Sequence, residues 1–138
     1  MVVSPDIPTD VLAELRTICL GLPEAYEEQA WAGTRWCIRK KNFAHVVRIE
    51  AGWPAAYARV AGTDGPATML TFRASADELH ALTHAGPDFV APPWAPNIVG
   101  MLLGDSVDWD EVAELLTESY VILAPKKLVE SIDRPTLP

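Results

Sequence analysis

Residues 105–127 read DSVDWDEVAELLTESYVILAPKK, and this stretch decides the fold. Apolar or small residues recur at Trp109, Val112, Ala113, Leu116, Tyr120 and Leu123. That spacing paints one face of an α-helix. Asp108 is suited to cap the first free N–H groups, and Glu111 stands where a capping box needs it. Val107 and Val112 occupy the positions of a hydrophobic staple. Asp110, Glu111 and Glu114 set negative charge against the positive end of the helix dipole. Pro125 ends the helix by disfavouring helical geometry at Ala124. The stretch therefore predicts a long docking helix whose inward stripe is Trp109, Leu116 and Tyr120, with no chemistry of its own.

Working outward, Ile98–Leu103 is a compact apolar run expected to form a central strand. The preceding segment, 87–97, holds Pro87, Pro92, Pro93 and Pro96 and predicts extended chain. Ser75 and Glu78 form a second capping box, opening a helix that runs to Thr83 or His84. Thr68–Arg73 (TMLTFR) reads as a strand with Met69, Thr71 and Arg73 opposite Leu70 and Phe72. Residues 62–66 are a loop, and Ala55–Val60 is expected to be a further strand.

Two runs of period-two alternation, Arg35–Lys41 and Phe43–Glu50, predict a hairpin. Asn42 tolerates positive φ, so the expected turn is Lys41-Asn42. That register puts Trp36, Ile38, His45 and Val47 on one face and Cys37 on the other. Residues 24–31 fit either a short strand or an extended link. A first helix spans roughly 10–20, capped by Thr9 or Asp10 and ended by Gly21 and Pro23. Residues 1–8 are a loose lead-in, Lys126–Ile132 a short terminal helix, and the last residues are expected to fray. The predicted class is α+β, a mostly antiparallel sheet with helices packed on one side.

The 138 residues suit one domain with its core over about 10–128. With 49% hydrophobic and 22% charged residues the balance is that of a globular protein. A chain of this length buries about two-thirds of its unfolded surface, so it needs no disulfide or metal to fold. Cys19 and Cys37 have apolar surroundings and no metal-ligand spacing, which predicts a reduced, cytoplasmic setting. No basic-then-apolar leader and no membrane-length run occur, so no membrane partner is expected. Net charge is −8, distributed as −5 over 1–33, +5 over 34–73 and −8 over 74–138. The overall sign opposes indiscriminate nucleic-acid binding, while a local basic patch on the middle segment remains compatible with it.

Four stretches now point to one family: Val11–Pro23 (VLAELRTICLGLP), 34–46 (TRWCIRKKNFAHV), 70–82 (LTFRASADELHAL) and 99–128, with Asp-Trp-Asp-Glu at 108–111 and Ser119-Tyr120 the most telling. Over about residues 10–128 the chain resembles the bacterial MmcQ/YjbR family. The resemblance implies a CyaY-like two-layer α+β sandwich, no catalytic motif, and the DNA-binding label such proteins commonly carry. A Gly-Lys pair is usual at the hairpin tip in that family; here the tip reads Lys40-Lys41-Asn42.

The candidate sites are few. Arg35, Arg39, Lys40, Lys41 and Arg48, interleaved with Trp36 and Phe43, could lay cations along phosphates. Ordinary charge balance on a solvated strand accounts for the same residues. Trp94 and Asn97, in Pro92-Pro93-Trp94-Ala95-Pro96-Asn97, mark a surface for a small molecule or protein if exposed. Otherwise Trp94 plugs the core from a loop lid. His80, His84 and Asp77 share a helix face, yet no third strong ligand accompanies them, so no metal site is assigned. Cys37 and His45 would make a nucleophile and base only if they shared a face, which the expected register denies. The resulting reading is a monomeric, cytoplasmic, non-enzymatic protein without a cofactor, binding DNA weakly and non-specifically through the hairpin. The alternative is an interaction module working through the Trp94 loop and the sheet face; a metal-handling role is the third and weakest class.

Overall fold

The structure, a computed structural model, describes residues 6–132. Most of the expected lead-in and the expected frayed end lie outside them. The elements in chain order are α1 (Thr9–Leu20), β1 (Tyr26–Gln29), β2 (Thr34–Ile38), β3 (Lys41–Ile49), α2 (Ala55–Ala61), β4 (Ala67–Arg73), α3 (Ala76–Thr83), β5 (Phe89–Val90), β6 (Ile98–Leu103), α4 (Trp109–Leu123) and α5 (Lys126–Glu130). One antiparallel sheet runs in the order β1-β2-β3-β4-β6-β5. Among the described residues no helix is long and apolar enough to cross a membrane.

The long helix forms where its pattern puts it. The Asp108 carboxylate accepts from the N–H groups of Asp110 and Glu111 at 3.1 and 3.2 Å, and Ala124 leaves the helix with ψ 148° ahead of Pro125. Val112, Leu116, Ser119 and Tyr120 are buried, while Trp109 is only partly so, at the rim. Ser75 Oγ likewise accepts from the Glu78 N–H at 3.2 Å. α1 starts differently: Pro8 is the N-cap, and no side chain caps this helix. Neither Thr9 nor Asp10 is needed, because proline already holds an extended ψ of 134° and its carbonyl takes the first helical bond, from Leu12, at 3.0 Å.

Two layers of side chains cover the sheet. The larger joins Leu15, Cys19, Trp36, Ile38, Phe43, Val46, Leu70, Phe72, Leu116 and Tyr120, so α1 and α4 share one face. The smaller joins Val47, Ile49 and Met69 to Ala58 of α2 on the opposite face. Ala55–Val60, expected as a strand, is this short helix. It follows Pro54 and ends on Gly62 in the left-handed conformation (φ 71°), a standard helix stop. Helices thus lie mainly on one side, with α2 an outlier on the other.

The hairpin turn also differs from expectation. Arg39 and Lys40, not Lys41 and Asn42, carry it, with φ 51° and 68°. Two left-handed residues give a turn whose twist suits paired strands. Lys41 then faces Ile38, Asn42 faces Cys37, and a bulge between Trp36 and Cys37 brings Trp36 opposite Ala44 and Arg35 opposite His45. Trp36 and Ile38 consequently join the α4 layer, while Val47 joins the α2 layer beside His45. Burying Trp36, Ile38, Phe43 and Val46 together outweighs the local preference of Asn42 for the turn.

His45 locks the back face. Its Nε2 donates to the Ala32 carbonyl at 2.6 Å, which leaves Nδ1 to accept from the Tyr57 hydroxyl at 3.3 Å. Burial pushes the ring's pKa down; the Ala32 bond opposes this, and the Arg35 charge adds to it.

Two outcomes follow. Leu116→Ala removes a fully buried side chain and should cost about 2–5 kcal/mol in urea denaturation. A loss under about 0.5 kcal/mol, the surface range, would contradict the packing. For His45, the unfolded ring takes up a proton below about pH 6.5 while the folded ring resists it, so stability should fall as pH drops through that range. His45→Gln keeps a donor for Ala32 and should flatten the decline between about pH 7.5 and about pH 5.5. An unchanged slope would mean that His45 titrates freely in the folded chain.

Candidate functional site

The hairpin cations separate once the register is known. Arg35 lies opposite His45, and its Nε donates to the Glu28 carboxylate at 2.6 Å. Arg39, at the tip, pairs with Glu24 at 3.2 Å. Arg48 faces Thr68, donates to its hydroxyl from Nη1 at 2.8 Å, and stands 3.4 Å from Glu50 through Nε. Lys40 and Lys41 are exposed at the turn and make no ion pair among the described residues. The five therefore occupy the α2 face, the tip and the α4 face. They do not form one contiguous stripe, and three of them already have carboxylate partners.

Cys37 and His45 share the α2 side, against the expected register, but they do not bond to each other. Cys37 Sγ lies 3.6 Å from the Glu28 carboxylate and donates to it, while both ring nitrogens of His45 are engaged as described. Burial, with the Glu28 charge, pushes the Cys37 thiol up to about 11, so it stays protonated at neutral pH. A nucleophile needs the thiolate, so this pair is inert. Burial raises the Cys19 thiol as well. His80 and His84 stack with ring centroids 4.2 Å apart, and His84 Nδ1 bonds the His80 carbonyl at 2.8 Å. Among the described residues, no group of three or more His, Cys, Asp or Glu side chains is positioned to hold a metal ion.

Trp94 does not plug the core. It is 46% exposed and rests edge-on against Tyr57, with ring centroids 5.1 Å apart. Asn97 adopts φ 63°, and its carbonyl accepts from the Ala74 N–H at 3.0 Å. This bond folds the proline-rich loop back onto the β4–α3 junction. Trp94 and Asn97 there line a cleft of about 690 Å³ together with Arg73, Ser75, Pro96 and Ile122. Ile122, on the last turn of α4, is 51% exposed. Arg73 is anchored twice: its Nε donates to the Asn42 carbonyl at 3.1 Å, and its N–H to Ser119 Oγ at 2.8 Å. The cleft thus pairs two exposed apolar side chains with a fixed guanidinium.

Sequence reasoning missed several of these residues. Tyr57 supports Trp94 from α2, a segment whose sequence predicts a strand. Ile122 carries a legible signal, since it is an apolar residue off the inward stripe of α4. Trp31, 80% exposed and 5.4 Å from Trp53 between ring centroids, extends the aromatic character of the α2 side. It lies in a stretch whose pattern was ambiguous.

Residues 20–122 match the family model YjbR. The crystal structure of Deinococcus radiodurans protein DR2400, which carries the DUF419 domain, is similar in fold, with a TM-score of 0.58 over 84% of this chain and 80% of that one, at 21% identity. No curated protein matches the chain. With its helix-backed antiparallel sheet and a model match over most of its length, the chain belongs to the YjbR family.

Proposed function

We propose that this protein is an interaction module rather than an enzyme, and that it binds an apolar segment of a partner protein in the Trp94 cleft. One observation carries the reading: Trp94 and Ile122 remain about half exposed at a cleft that also holds the anchored Arg73. Apolar area left in water is stabilised on binding by roughly 25 cal/mol per Å². Tryptophan and arginine are the side chains that most often dominate protein interfaces. The open form of the cleft suits a protein surface better than a small molecule, which is usually enclosed over most of its area. Two shielded free thiols are compatible with a cytoplasmic setting.

A photo-crosslinking amino acid at position 94 or 122 should give the same partner adduct in cells, and Arg73→Ala should diminish it. A crosslinker at exposed Leu20 on α1 should not give that adduct. Identical adduct patterns from all three positions would overturn the proposal.

A second reading, weak DNA binding at the hairpin tip, is favoured by Lys40 and Lys41, which are exposed and without ion pairs among the described residues. With Arg35, Arg39 and Arg48 facing carboxylates, affinity should be in the non-specific range of about 10⁻⁴–10⁻⁶ M. Fluorescence anisotropy against labelled duplex and single-stranded DNA checks this. The double variant Lys40→Ala, Lys41→Ala should flatten the salt dependence by up to about two units of slope. Binding indifferent to the double variant, or none at low salt, would eliminate the hairpin.

A further inference from the structure

On the α4 side of the sheet, at the end away from the hairpin tip, α1, the ends of β3, β4 and β6, and the turn leading into α4 line an open-mouthed cavity of about 360 Å³. Its apolar walls include Val11, Val107 and Trp109, and its polar groups include Arg48, Asp10 and Asp105. Trp109 belongs to the inward stripe of α4 yet stays partly exposed here. Arg48 is held by its 2.8 Å bond to the Thr68 hydroxyl, and the long 3.4 Å approach to Glu50 uses only Nε. No ion pair joins Arg48 to Asp10 or Asp105 among the described residues. Arg48 thus meets Glu50 through Nε and Thr68 through Nη1, and its Nη2 carries no side-chain bond among the described residues, while Asp10 and Asp105 line the same cavity without pairing with it.

We propose that this cavity binds a small zwitterion with an apolar side chain, of the α-amino acid class. The remaining Nη2 of Arg48 offers a charge-assisted donor to a carboxylate. Asp10 and Asp105 offer acceptors to an ammonium group. Their charge discriminates against phosphates and simple carboxylates, which would meet Arg48 but be repelled by the two carboxylates. Val11, Val107 and Trp109 receive an aliphatic side chain. The volume lies at the small end of the range for ligand sites, which suits a single amino acid rather than a nucleotide. The site is separate from the Trp94 cleft and shares no lining residue with it.

Calorimetry on the full chain with three probes tests the assignment: L-leucine, 4-methylpentanoate, which lacks the ammonium, and 3-methylbutylamine, which lacks the carboxylate. L-leucine should bind, and each analogue should bind at least about tenfold more weakly, the loss expected for one charge-assisted contact. Arg48→Met should abolish leucine binding. Because Arg48 also holds Thr68, Asp105→Asn serves as a second variant: it should weaken leucine binding and leave 4-methylpentanoate no weaker than before. Absence of leucine binding, equal affinity for the three probes, or indifference to both substitutions would overturn the proposal.

Discussion

The hydroxyl of Ser119 is the joint on which this fold depends. It is fully buried, donates to the Phe43 carbonyl at 2.6 Å and accepts from the Arg73 N–H at 2.8 Å. The β3–β4 ladder runs from Ile49↔Ala67 to Ala44↔Phe72. Phe43 and Arg73 are the next residues along it, so the hydroxyl carries the ladder one step past its end and ties it to α4. Leaving either buried backbone group unpaired would cost about 1–3 kcal/mol. The neighbouring Tyr120 works in the same direction. Its hydroxyl donates to the Pro23 carbonyl at 2.6 Å, and its ring meets Phe43 edge-on at 5.5 Å. One turn of α4 thereby fixes two central strands and the connection after α1.

The Trp94 cleft inherits its rigidity from that joint. Arg73 is the last residue of β4, held at its N–H by Ser119 and at its guanidinium by the Asn42 carbonyl. The next residue, Ala74, donates to Asn97 and so holds the proline-rich loop. Packing of α4 on the sheet and presentation of Trp94 are thus linked through two consecutive residues. The loop itself needs little regular structure to be well positioned, which is the usual division of labour between a scaffold and a binding loop.

Much of this was legible in the chain, for identifiable reasons. Asp108 and Ser75 cap their helices through bonds within the same turn, so the local sequence suffices to find them. The stripe of α4 and the run Ile98–Leu103 are long, uniform signals. The hairpin register was not legible because alternation presumes one wet face. Here α2 covers the back of β3, Val46 and Val47 are both buried, and the apolar pattern no longer distinguishes front from back. The bulge at Trp36/Cys37 and left-handed turn residues of ordinary type, Arg39 and Lys40, carry no local signature. Where Arg35 and Arg48 point depends on that register, so the scattering of the cations was equally hidden. Trp94 and Asn97 stand out in the sequence because a proline-rich aromatic loop is unusual. Arg73 and Tyr57 were not singled out, since their part depends on contacts between distant segments.

Gly33 and Gly65 bracket β3 from two surface loops, with φ 76° and 94°. A methyl group on Gly33 would run into the carbonyl of Val46, and one on Gly65 into that of Ile49. In both cases the obstacle is strand backbone, which has no rotamer to yield, and a left-handed φ adds to the penalty. Sequence drift in this lineage is therefore blocked at two loop positions as firmly as in the interior. The divergence that loops normally accumulate must be carried by their neighbours, such as Trp31, which is 80% exposed.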